Sequence, residues 1–113
     1  MRYMLQVYFN GADERLRQLP EAERQGIVHE FEAFLRRPEI RDGNQLQPPA
    51  TAITVRVHED EVVHSTGPCT TGEPLGGYYV VEAGDIDAAT AIAAHIPVIR
   101  MGAAVEVRPL VER

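Results

Sequence analysis

The chain has 113 residues, 44% hydrophobic and 25% charged, a globular mixture of one domain's length. Its net charge of −6 argues against a general nucleic-acid binder and against docking on an anionic membrane, since both need basic patches. A single cysteine, Cys69, excludes an intrachain disulfide, and the reading is one cytoplasmic domain over residues 1–113.

The N-terminus, Met1 to Phe9, lacks the long apolar run and small-residue cleavage site of a signal peptide, and no segment approaches the length of a membrane span. Tyr3 to Phe9 is rich in aromatic and β-branched residues and predicts a first strand, ended by Asn10-Gly11. Asp13 to Leu19 predicts a helical turn. Glu21 to Arg37 predicts the first long helix, opened by Pro20 and stopped by Pro38, with Ile27, Phe31, Phe34 and Leu35 as its apolar stripe. Glu39 to Ala50, with Asp42-Gly43 and Pro48-Pro49, reads as a loop. Ala52 to His58 and Glu61 to Ser65 read as two strands of a hairpin turning at Glu59-Asp60. Thr66 to Gly77 is a structured loop and Tyr78 to Glu82 a further strand. Asp85 caps a helix from Ile86 to His95 that Pro97 stops, and Ala103 to Arg108 is the last strand.

This order predicts an α+β chain of the ferredoxin-like, split βαβ kind, with an antiparallel sheet and two helices on one face. Two helices cover only one side of a sheet. The period of two along a strand then places Ile53, Val55 and Val57 toward the helices, with Thr54, Arg56 and His58 on the opposite face. In the last strand Val105 and Val107 oppose Glu106 and Arg108 in the same way. Met4, Gln6, Tyr8 and Tyr79 are expected on the uncovered face. Such a mixed face suits a dimer interface or a cavity between two subunits; simple solvent exposure is the plain alternative.

The segments RYMLQVY (2–8), QLQPPATAITVRV (45–57), LGGYYVVEA (75–83), DIDAA (85–89) and GAAVEVRP (102–109) fall in an order that resembles the YCII-related family. Within it they resemble the subgroup named for an Asp-Gly-Pro-Phe motif. The resemblance implies a dimeric α+β barrel, two sheets meeting face to face, and a fold relation to muconolactone-isomerase-type and monooxygenase-type enzymes. It also implies that some relatives use a His–Asp pair, and that the subgroup is associated with extracytoplasmic-function sigma factors. Here the motif stands as Thr66-Gly67-Pro68-Cys69. The turn residues remain, but the carboxylate is replaced by a hydroxyl that cannot hold a proton at neutral pH.

His29 is the candidate catalytic base, in a helix where relatives often carry a histidine, although its angular position is opposite the apolar stripe. Arg56 and Arg108 are candidate clamps for an anionic ligand, with Thr66 and Tyr79 as further lining residues; pairing with Glu106 is the structural alternative for the arginines. Cys69 reads as a nucleophile or as a small buried hydrophobe. His58, His64 and Cys69 match no metal spacing, and His95 suits a helix C-terminus. The expectation is a homodimer without metal or cofactor that binds, and in one reading transforms as a lyase or isomerase, a small anionic metabolite. A non-catalytic regulatory module, such as a sigma-factor partner, is the alternative.

Overall fold

The computed structural model describes residues 1–113. Strand β1 (Arg2–Tyr8) is followed by helices α1 (Ala12–Arg17) and α2 (Glu21–Leu35), then by strand β2 (Ile40–Gln45). Strands β3 (Ile53–His58) and β4 (Glu61–Thr66) come next, then β5 (Gly77–Glu82), helix α3 (Ile86–Ala93) and β6 (Ala104–Pro109). Short 3-10 turns occupy Pro49–Thr51 and Pro97–Met101.

The main sheet is antiparallel with the order β2-β5-β1-β6, the arrangement of a ferredoxin-like α+β fold. Tyr3, Leu5 and Val7 alternate inward along β1 and are buried against the helices together with Val81, Phe34, Ala89, Ile92 and Ile96. Across the strands, Leu5 lies opposite Tyr79 on β5 and Val107 on β6. The α3 start follows its sequence signal: the Ala88 N–H donates to Asp85 Oδ1 at 2.8 Å. Neither flank of the sheet is a plain strand. The register of β2 shifts between Ile40 and Asp42, and β6 ends in Pro109, which has no N–H.

Three expectations are corrected. The segment read as a loop from Glu39 to Ala50 contains β2, the edge strand that completes the sheet. The hairpin is not part of that sheet: β3 and β4 pair only with each other, as a separate two-stranded arm. Ile53, Val55 and Val57 therefore do not face the helices, and are 68%, 60% and 70% exposed. Finally, Tyr79 lies on the helix side of β5, at the same level as Leu5 and Gly43, and Tyr78 is the tyrosine on the uncovered face, beside Gln6 and Asn44.

The arm's tip is the expected turn, with Glu59 and Asp60 both at positive φ, 49° and 66°. Consecutive left-handed residues twist a two-residue loop to match its strands. At the base, the Gly67 N–H donates to Ala52 O at 2.8 Å, and Thr54 Oγ1 donates to Gly67 O at 2.7 Å. The chain measures 50 × 39 × 19 Å, with a radius of gyration of 16.1 Å. A compact chain of this length would have about 13 Å; the projecting arm accounts for the excess.

Candidate functional site

The helix side of the sheet holds a cavity of about 370 Å³. Phe31, Glu32, Val28 and Leu35 of α2 form one wall, and Gly43, Asn44 and Gln45 of β2 with Tyr79 of β5 form the facing one. Phe9, Leu16, Ile96 and Val98 complete its apolar lining. The spacing of Val28, Phe31, Glu32 and Leu35 along α2 explains why they share a wall, because residues three and four apart stand on one helical face. That face is set beside the core stripe rather than on it. Phe34 is buried, whereas Val28 and Leu35 remain 40% and 48% exposed at the cavity mouth.

Tyr79 defines the inner wall. Its ring meets Phe34 edge to face, with centroids 5.1 Å apart and planes at 73°. Gly43, directly opposite on β2, leaves the space that the ring fills; a Cβ there would collide with the Tyr79 ring and stand 3.0 Å from Tyr78 O. The glycine that made β2 look like a turn is thus what lets an aromatic side chain lie over the edge strand. Burial pushes the Tyr79 phenol above its ordinary value, and no hydrogen bond contributes to the shift. At neutral pH it is a protonated O–H donor beside an apolar space.

This has a measurable sign. The native chain holds the Tyr79 proton more tightly than the unfolded chain does, so its contribution is complete below the ordinary tyrosine value of about 10. It is lost as pH rises through the raised native value. Urea unfolding across an alkaline pH series should show stability falling above that range, with a shallower fall in Tyr79→Phe. Identical slopes in the two proteins would reject the assignment.

A second, wider recess of about 650 Å³ lies against the other face of the sheet. Gln6 and Tyr8 of β1 form its floor, Ile53 and Thr54 come from the base of the arm, and Cys69 and Thr70 from the following loop. The Gln6 Oε1 atom is buried there with no hydrogen-bond partner. Cys69 is exposed, not the small buried hydrophobe of one sequence reading.

The candidate residues do not converge. His29 is exposed on α2 and is absent from the cavity lining, as are Arg56, Thr66 and Arg108. Arg56 stands on the arm opposite Val63, and Thr66 pairs with Ile53 at the arm's base. Arg108 lies on the uncovered face of β6, 4.0 Å from Glu106 and largely exposed. Only Tyr79 lines the helix-side cavity. Sequence reasoning missed Gly43, Gln45 and Glu32. The signal for Glu32 was present in the helical spacing from Val28; the other two lay in a segment without strand-forming composition. Among the side chains, no group of three or more His, Cys, Asp and Glu is placed to hold a metal ion. No helix is long and apolar enough to cross a membrane.

The family model for the YCII-related domain matches residues 1–112. No curated protein matches the chain.

Proposed function

Since the chain belongs to the YCII-related domain family, we propose that it is a homodimer whose subunits each bind a compact, largely apolar molecule in the helix-side cavity. The carrying observation is the make-up of that space: aliphatic and aromatic walls, with Tyr79, Gln45 and Glu32 as its polar groups. Ligand sites combine apolar walls with a few orienting polar groups in this way. The lining includes no arginine, and Arg56 and Arg108 lie elsewhere. The ligand is therefore read as a neutral molecule with a carbonyl or hydroxyl group that accepts from the Tyr79 phenol, rather than the anion expected from Arg56 and Arg108 as clamps.

Binding rather than turnover is the proposed activity. The cavity brings no nucleophile and base together, and Thr66, at the position of the motif's aspartate, sits on the arm away from it. The homodimer is supported by the uncovered sheet face, where half-buried Met4, Gln6, Tyr8, Tyr78 and Val80 lie among Arg2, Glu82, Glu106 and Arg108.

Thermal-shift measurements with paired cyclic ketones, alcohols and carboxylates of matched size test the ligand class. A neutral member at a hundred times its dissociation constant should add about 2.7 kcal/mol to stability. Val28→Trp, which fills the mouth from an exposed position, should abolish that gain. A gain from carboxylates alone, or one unchanged in Val28→Trp, would overturn this reading.

A further inference from the structure

The arm has an unusual division of faces. Its register places Ile53, Val55, Val57 and Val62 on one side together with His64 and Thr66; Thr54, Arg56, His58 and Val63 lie on the other. Four β-branched aliphatic side chains thus share one face, and each is at least 60% exposed. A two-stranded hairpin with no further layer is marginal in water, and a contiguous apolar patch of this kind marks a contact surface. From these observations we infer that the arm is a clasp: its apolar face closes over a second copy of this chain. The inference rests on the homodimer proposed above and adds to it the element that holds the two subunits together.

Three features favour a second copy as the occupant. The first is continuity. Ile53, at the root of the apolar arm face, lines the same recess as Gln6 and Tyr8 of the uncovered sheet face. A partner lying on that sheet face therefore reaches the arm without a gap, and covers the recess in which Gln6 Oε1 lacks a partner.

The second is area. Four strands spaced about 4.8 Å apart and about 20 Å long project roughly 400 Å² before side-chain relief is counted. A stable dimer draws about 800 Å² from each partner. Two arm strands of six residues each, the length of most main-sheet strands, add about half as much strand surface again. In a two-fold dimer each subunit both gives an arm and receives one, so the share of both partners rises in the same way.

The third is charge. Glu59, Asp60 and Glu61 make the tip acidic; on the uncovered sheet face Glu82 is paired with the N-terminal ammonium at 2.9 Å, which leaves the exposed cations Arg2 and Arg108 against Glu106 alone. An acidic tip on a chain of net charge −6 needs such a receiving surface.

Sedimentation velocity on the full chain tests the clasp. The wild type should sediment as a dimer of the 12.6 kDa chain. Val55→Asp/Val57→Asp should weaken dimerisation by about 100-fold or more, because two buried contact positions become charged. Both positions are exposed in the single chain, so its circular dichroism should not change. A photo-reactive benzoylphenylalanine at position 57, in a mixture of isotopically heavy and light chains, gives an independent reading. Heavy–light adducts support the clasp, and adducts confined to one chain overturn it. A wild-type dimer whose variant dimerises equally well rejects the clasp but leaves the homodimer standing. A monomeric wild type rejects both, and leaves the arm to a different partner.

Discussion

Leu5→Ala is expected to lower the unfolding free energy by about 2–5 kcal/mol, against the roughly 5–15 kcal/mol that a domain of this size possesses. Leu5 is fully buried in the central strand, with Tyr79 on one side and Val107 on the other. It has no alternative packing, because both neighbouring strands and the helices above are fixed around it. The loss has two sources: the transfer free energy of the missing carbons and the void they leave. Urea titration should show a lower midpoint at an unchanged slope. A loss below about 0.5 kcal/mol would mean that the core lies elsewhere, since that is the range of ordinary surface changes.

The second large effect is at Gly43. Valine is a better strand former than glycine, so strand preference alone predicts that Gly43→Val stabilises β2. The geometry predicts the reverse, because the new side chain meets the Tyr79 ring, which is packed edge to face against Phe34. Expelling the ring should cost about 1–3 kcal/mol and remove the inner wall of the cavity, so the neutral ligands that stabilise the wild type should cease to do so. The same substitution made in Tyr79→Ala should cost much less, because only the close approach to Tyr78 O at 3.0 Å remains. That difference between backgrounds, read as a coupling in a double-mutant cycle, separates the collision with the ring from any property of β2 itself. Equal losses in both backgrounds would sink the account.

How much of this architecture could be read from the residues depends on which interactions specify each part. The ferredoxin-like order was legible because β1, α2, α3 and β6 carry their own signals: a β-rich run, a helical stripe between two prolines, an Asp85 cap and a clean alternation. β2 was not. Its sequence, IRDGNQ, holds one β-branched residue and an Asp-Gly pair that elsewhere makes a turn. It is a strand because β5 has a free edge to pair and because Tyr79 needs the space at Gly43, and both reasons are tertiary. The arm shows a different limit. Alternation in ITVRVH shows that one face is apolar, but not what covers it, and the helices were assumed to do so. Tyr78 and Tyr79 show the limit of register, since a one-residue slip exchanges the two faces of a strand. It was that slip which put Tyr79 on the wrong side and left the cavity unread.

The two flanks of the main sheet bear on the protein at high concentration. A long straight flank would present a row of unpaired backbone groups on which another molecule's strand could be templated, and then another, into a filament. Here one flank is broken by the shifted register after Ile40, and the other ends on Pro109. Sideways growth of the sheet finds only a short row of donors and acceptors on either border, interrupted near Ile40 on one and stopped at Pro109 on the other, which disfavours a filament even in a crowded solution.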